Sequence, residues 1–417
     1  MKRLLMTSAA LTAFGGAAMA QTEISMWYHG AGNQVESDIL NGIVSDFNES
    51  QSDWTVTVES FPQASYNDSV VAAALAGNLP CIMDVDGPVM PNWAWSGYMQ
   101  PLSIDEGLIE DFLPGTLGMW DGELYSVGLW DAAVALYARE STLEELGLRR
   151  PTLEEPWTGE EFMAALDAAR DSGNYEYALD LGMNDQGEWY PYAFLPFLWS
   201  HGGSLVDRET YASAEGALNG EAGIEFGEWW QMLFEEGYAP GTSEDPADQT
   251  RGFIEGDFAF QWNGNWRAVA TMEEVDDVIF LPAPDFGAGN FIGGGSWQFG
   301  VSASCPNPEG ANAFIEFALQ DEYLAAFSDG IGLIPATSSA AAMTENYAEG
   351  GPLAVFFDLS NDQARLRPVT PGYVVQSEIF TKAMADIANG ADVIDTLDAA
   401  VDEIESDIEA NQGYGHE

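Results

Sequence analysis

Apolar and polar positions alternate through EISMWYHG (23–30) and again through WTVTVESF (54–61), which predicts two strands. Between them, Ile39, Ile43, Val44 and Phe47 recur at helical spacing in SDILNGIVSDFNES (37–50). SYNDSVVAAALAGN (65–78) reads as a second helix, ended by Gly77 or Asn78, and CIMDVDG (81–87) as a short buried strand. Strand, helix, strand, helix, strand predicts an α/β lobe on a largely parallel sheet. Ligands on such sheets sit beyond the carboxyl ends of the strands. The candidate loops are therefore residues 27–33 and 84–95.

Further along, the period changes. LYSVGLWDAAVALYARE (124–140) gives two short extended runs, and STLEELGL opens a helix. PWTGEEFMAALDAARDSG (156–173) is an amphipathic helix with Thr158 as N-cap and Glu161 at the capping-box position. EAGIEFGEWWQMLFEEG (221–237) is another helix. FAFQW and VIFLPAP read as strands around WNGNW (262–266), whose Asn-Gly suits either a hairpin tip or a strand-to-helix loop. Helices follow at NPEGANAFIEFALQ, SEIFTKAMADIANG and VIDTLDAAVDEIESDIEA, the last with Val393, Ile394, Leu397, Val401, Ile404 and Ile408 on one face. No tandem repeat interrupts the pattern.

Composition sharpens the picture. Lys2 and Arg3, the apolar run after them and Ala18-Met19-Ala20 predict a signal peptide over 1–20, cleaved before Gln21, and hence a periplasmic protein. A chain of 417 residues exceeds what one core accommodates, so two lobes are expected. With 68 acidic residues against 12 basic, nucleic acid and anionic membranes are excluded as partners, since both require a basic footprint. The acidity itself reads as a solvated surface. Cys81 and Cys305, the two cysteines, accommodate either a bridge or two buried thiols.

Catalytic signatures are sparse. His29, His201 and His416 have no metal-ligand spacing, so no metal and no cofactor are expected. GAGNFIGGGS (287–296) lacks the Gly-Lys-Ser/Thr ending of a phosphate loop. Lys382 lies on a polar helix face, and carboxylate pairs carry no signal among so many acids. Aromatic residues stand out instead: Trp27, Tyr28, Trp93, Trp95, Trp130, Trp189, Tyr190, Tyr192, Trp262, Trp266 and Trp297 fall in loops or at element ends. Any one of them alone reads first as core. Trp130-Asp131, Trp262-Asn263, Asn265-Trp266 and Trp297-Gln298, however, set a flat apolar face beside a hydrogen-bonding group, the combination that sugars require.

Four blocks then carry a resemblance. WDGELYSVGLWDAAVALYARESTLEELGL with PWTGEEF, GFIEGDFAFQWNGNW, GGGSWQFGVSASCPNPEGANAFIEFAL, and GLIPA occur in one order across nearly the whole chain. Together they resemble the family 1 extracellular solute-binding proteins, the maltose-binding-protein-like receptors of ABC importers. The resemblance implies a type II periplasmic binding protein fold: two lobes, each a mainly parallel sheet flanked by helices. Three hinge crossovers are expected near 128–132, 297–303 and 334–340. Lobe 1 would comprise 21–130 and 301–335, and lobe 2 residues 131–300 and 336–417. The receptor would be a monomer that closes on its ligand and docks on membrane permease subunits.

The resemblance also places residues. Asp131 matches a carboxylate that binds sugar hydroxyls, and Trp266 and Tyr192 match stacking residues. Tyr190 stands where a glutamate is usual, and Ala31 falls near a usual aspartate. Cys81 replaces the Asp of a "PD" pair, and a disulfide to Cys305 within lobe 1 is implied. The expected substrate-binding set is Trp27, Tyr28, His29, Asp84, Asp86, Trp93, Trp95, Trp130, Asp131, Tyr190, Tyr192, Asn263, Trp266, Gly294, Trp297, Arg365 and Tyr373. The expected ligand is a neutral disaccharide or short α-glucoside. The alternatives are an anionic sugar or sugar phosphate, which would need Arg365, Arg367 or Arg267 in the cleft, and an exported glycosidase.

Overall fold

The computed structural model describes residues 21–184, 188–241, 250–295 and 297–415. The signal segment, Ser296 and His416 lie outside the described residues. Strands in chain order are β1 (Thr22–Tyr28), β2 (Trp54–Ser60), β3 (Ile82–Asp86), β4 (Met99–Gln100), β5 (Leu117–Trp120), β6 (Glu123–Val127), β7 (Trp130–Asp131) and β8 (Val134–Arg139). They continue with β9 (Tyr177–Asp180), β10 (Phe258–Gly264), β11 (Val278–Leu281), β12 (Ile292–Gly293), β13 (Trp297–Ser302), β14 (Ile334–Pro335) and β15 (Ala364–Arg365).

Two sheets anchor two lobes. The first runs β2-β1-β3-β13-β6-β5, with β4 beside β13, and the second runs β11-β8-β10-β9. Helices Gln34–Ser50, Pro308–Ala318 and Asp321–Ile331 cover one face of the first sheet through Leu40, Ile43, Phe47, Phe314 and Leu324. Its other face buries Tyr66, Val70, Met90 and Trp93. The second sheet packs against Gly159–Ser172, Trp189–Ser200 and further helices around one large core. Every residue of Trp189–Ser200 is buried, as a helix apolar on all sides must be.

Both sheets are mixed, not mainly parallel as the sequence pattern predicts. β1 is parallel to β2 and β3, but β13 is antiparallel to β3, β4 and β6. In the second sheet only β9 and β10 are parallel. A parallel neighbour requires a long crossover back to the same edge. β13 instead arrives from the other lobe through a short link and enters from the opposite end. It pairs with β3 already at Trp297, ahead of the expected return at residue 301. Ala336 and Ala340 likewise still pack in the first core. The chain thus crosses between sheets after β6, before β13 and after β14, and β7 and β14 pair with each other at the hinge.

Local signals hold at named positions. Thr158 Oγ1 accepts from the Glu161 amide (3.2 Å), and Glu161 accepts from the Thr158 amide (3.0 Å), closing the capping box. WNGNW is a strand-to-helix passage: β10 ends at Gly264 and the single turn Asn265–Arg267 opens helix Ala268–Glu274. On helix Val393–Ala410 the buried stripe takes Ala400, while Ile394 turns to solvent because 100° per residue carries it off that face.

Cys81 and Cys305 form a disulfide with Cα atoms 4.5 Å apart, tying the start of β3 to the loop after β13. Replacing both by serine is expected to lower unfolding stability by about 2–5 kcal/mol. Urea denaturation checks this: an unchanged midpoint, or a wild-type midpoint insensitive to reductant, would contradict it.

Candidate functional site

The first lobe offers its strand ends. β1 ends at Tyr28, and the next residue, His29, sits beside Asp84 of β3, which accepts from both the His29 amide (3.3 Å) and its Nδ1. Glu36 approaches His29 Nε2 at 3.5 Å and accepts the Tyr28 hydroxyl. The Trp297 indole stacks on the imidazole with ring centres 3.9 Å apart and planes 8° from parallel. It meets Tyr66 edge-on at 5.6 Å. Burial opposes charge on His29, but Asp84, Glu36 and Asp86 outweigh it and raise its pKa above 6.5.

The second lobe offers an aromatic corner. Trp189 and Tyr192, one turn apart at the start of a helix, flank Trp266 at 6.1 and 5.9 Å. The Trp266 indole lies over Gly264, where an added Cβ would come within 2.1 Å of the ring. Gly264 has a φ of −94°, so the glycine serves close approach of the indole and not the turn. Trp266 packs against the cores of both lobes.

Arg367 joins the two sides. Its guanidinium pairs with Asp86 at the end of β3 (3.5 Å) and with Glu188 of the second lobe, and it lies 4.9 Å over the Tyr192 ring. Tyr373 donates to the same Glu188 carboxylate. Arg367 is 4% exposed. Burial pushes Glu188 up to about 7 despite Arg367, and burial likewise raises Asp86.

The crossovers are stitched by two polar side chains. Asp131 accepts from the Gly295 amide (3.0 Å), its neighbour Ala132 (2.8 Å) and the Ser360 hydroxyl. Asn265 accepts from the Ala133 amide and donates to Gly332 O, both at 2.9 Å, linking the first and third crossovers. Gly294 lets the second crossover pass β15: an added Cβ would meet Ala364 at 2.5 Å. Between the lobes a cavity of about 40 Å³ remains, lined by Pro88, Met90, Gly115, Gly295, Leu366 and Arg367 among others.

The structure therefore gathers His29, Asp86, Trp297, Tyr192, Trp266 and Tyr373 toward the junction of the lobes, with Tyr28 and Asp84 buried behind His29 in the first lobe and Asp131, Gly294 and Trp130 at the hinge. Trp130 is buried in the first core, 6.5 Å from His29. Other expected residues lie elsewhere. Trp93 is buried beneath the first sheet, and Trp27 packs on Phe61 at 4.6 Å. Trp95 is 46% exposed and touches Tyr414 of the other lobe at 5.2 Å. Tyr190 is core, donating to Met183 O, and Asn263 turns onto the Gly264 amide. Arg365 stacks 3.9 Å over Phe291, outside this junction. Glu188 is the residue that sequence reasoning left off the site, and Arg367 entered it only as a cation for the anionic-ligand alternative. A lone carboxylate directly before the all-apolar WYPYAFLPFLWS was the available signal for Glu188.

These shifts set a pH dependence. A carboxylate raised in the folded state binds more protons folded than unfolded, so Glu188 costs stability as pH climbs from 4.5 to about 7. Asp84, Asp86 and Asp131 are raised by burial and act in the same direction. His29, also raised, contributes stability below 6.5 that is lost as pH rises through its folded value. Thermal unfolding at matched ionic strength is expected to give a higher midpoint at pH 5.5 than at pH 8. The reverse order would contradict the buried-charge account.

Two lobes that meet over aromatic rings and charged side chains, on three crossovers, form the frame of a two-lobed binding protein. Residues 42–353 match the bacterial extracellular solute-binding proteins, and the chain belongs to that family. The GacH receptor of Streptomyces glaucescens, solved unliganded and with acarbose, superposes with a TM-score of 0.77 at 22% identity, covering 94% of this chain and 99% of that one. The cyclic α-maltosyl-1,6-maltose binding protein of Arthrobacter globiformis gives 0.77 at 22%, covering 94% and 100%. The sugar-binding protein MalE of Xanthomonas citri gives 0.75 at 20%, covering 93% and 98%. A Brucella abortus protein is 26% identical over 295 residues, 68% of this chain and 66% of that protein, so the match spans just under two thirds of that relative. A lipoprotein of Streptomyces antibioticus is 26% identical over 314 residues, 72% of this chain and 67% of that one. Among the described residues no helix is long and apolar enough to cross a membrane.

Proposed function

We propose that the protein captures a neutral carbohydrate, of disaccharide or short α-glucoside size, between its lobes and delivers it to the permease of an ABC importer. The observation that carries this is the meeting of flat rings with hydrogen-bonding charged side chains. Trp266 and Tyr192 come from one lobe and Trp297 from the other, and Asp86, Glu188 and Arg367 lie among them. Rings suit the C–H faces of a sugar, and carboxylate and guanidinium groups suit its hydroxyls. The structural relatives named for acarbose and maltose-type ligands support the same reading.

A neutral ligand is favoured over an anionic one because Arg367 is already matched by two carboxylates. A cavity near 40 Å³ is far below the roughly 300 Å³ such ligands occupy, so entry requires the lobes to part. We take β1–β6, β13 and the helices packed on them as lobe 1 and the remainder as lobe 2, in a monomer exported to the periplasm by residues 1–20. Calorimetry against maltose, trehalose, sucrose and maltotriose, beside glucose 1-phosphate, tests the reading. Saturable binding of one neutral sugar without hydrolysis is expected. Preference for the phosphate, or release of reducing sugar, would overturn it.

A further inference from the structure

Among the described residues, two arginines that share one indole in the second lobe have no counter-charge at ion-pair distance. Six other basic residues, Arg149, Arg150, Arg170, Arg251, Arg367 and Lys382, each pair with a carboxylate. In a chain with 68 acidic residues that outcome is the ordinary one. Arg139, Arg208 and Arg365 depart from it: among the described residues none has a carboxylate within ion-pair distance, and of the three Arg208 and Arg365 lie together. Both converge on one indole, with guanidinium carbons 5.1 and 5.6 Å from the Trp199 ring centre. Arg365 lies 3.9 Å over Phe291 as well. Arg208 is fixed by one bond, from Nη2 to Leu366 O at 2.9 Å.

Donors beside them are unused. Arg208 Nη1 and Trp199 Nε1 are buried with no partner, as is the amide nitrogen of Asn290, the residue before Phe291. Each can donate a hydrogen bond. Burial and the neighbouring Arg365 both press Arg208 below its ordinary pKa, and burial does the same to Arg365. Two like charges, each partly buried beside one buried indole, oppose folding unless something negative joins them. Cation–π attraction from Trp199 offsets part of that cost and supplies no acceptor for the free donors.

We propose that Arg208, Arg365 and Trp199 form a second binding site, on lobe 2, for a compact oxyanion of carboxylate, sulfate or phosphate type. Paired guanidiniums match the two-oxygen edge of such a group. The site is distinct from the cleft: Trp199 follows Tyr192 by seven residues on one helix, about 10 Å along its axis. The acidic surface repels free anions at long range, but salt confines that field to roughly 8 Å at 0.15 M, leaving the local pair to decide. The oxyanion comes either free from the medium or as the acidic group of a larger solute.

Thermal unfolding of the full mature chain, in sodium sulfate, phosphate, glucuronate and chloride at constant ionic strength, tests this. A saturable rise in midpoint above the chloride value is expected for at least one oxyanion. Sulfate or phosphate acting alone assigns a free ion; glucuronate alone assigns the carboxylate of an organic solute. Arg208→Gln and Arg365→Gln should each weaken the effect about tenfold or more. Each should also raise the midpoint in chloride, because it relieves the repulsion. No oxyanion differing from chloride in the wild-type protein would overturn the proposal, whether or not the variants fold. An oxyanion effect surviving the double substitution would do so too. Variants that lose stability in chloride, with no oxyanion effect, would reduce the pair to a structural brace.

Discussion

Arg367→Met is expected to lower unfolding stability by about 3–5 kcal/mol, because it leaves Asp86 and Glu188 facing each other without the cation between them. Methionine keeps much of the side-chain volume, so lost packing contributes little. The loss should depend on pH. Glu188, already pushed up to about 7, gains protons more readily once its guanidinium partner is gone, and protonation removes the uncompensated charge. Urea denaturation should therefore show a smaller loss at pH 5.5 than at pH 8. Adding Asp86→Asn and Glu188→Gln to Arg367→Met should recover most of the stability. Equal losses at both pH values, or no recovery, would show that the three groups do not act as one charge cluster.

Trp266→Ala is expected to weaken sugar binding by about 2–4 kcal/mol, the truncation cost of a desolvated aromatic anchor. That corresponds to roughly 30- to 1,000-fold in Kd. A second substitution separates the ring's position from its presence. Gly264→Ala keeps the indole but sets a methyl within 2.1 Å of where it now lies, and a φ of −94° accepts alanine without strain. It should weaken binding in the same direction by displacing the ring. Calorimetry with the best neutral sugar measures both. An unchanged Kd in Trp266→Ala would move the sugar site elsewhere.

Much of the fold was legible because its signals are local. Ile43, Val44 and Phe47 mark a helix face by spacing alone, and Thr158 with Glu161 marks a helix start by chemistry alone. The direction of β13 was not legible, because a strand reads the same whichever neighbour it meets. Side-chain destination was harder still. Arg365 and Arg367 are two residues apart in RLRPVT, yet one stacks on Phe291 and the other spans the lobes. Their difference arises where β15 ends, which no residue type encodes. Asp131 and Asn265 read as hydrogen-bonding groups for a ligand. The chain uses them to satisfy backbone amides and carbonyls that short crossovers leave unpaired. Trp93 and Trp297 could not be ranked either, since both are indoles at element ends. Only the imidazole beneath Trp297 distinguishes them.

The bridge from Cys81 to Cys305 turns the chain between those residues into a covalent ring. That ring contains the first two crossovers and most of the second lobe, while the third crossover and the helices after it hang outside. One proteolytic cut anywhere between residues 82 and 304 therefore opens the ring without releasing a fragment. The two pieces part only when a reductant is added, so a nicked receptor runs at full mass on a non-reducing gel. Outside the cell, where proteases act and thiols stay oxidised, the same bond lets β3 and β13 keep their pairing through a break in the lobe they do not share.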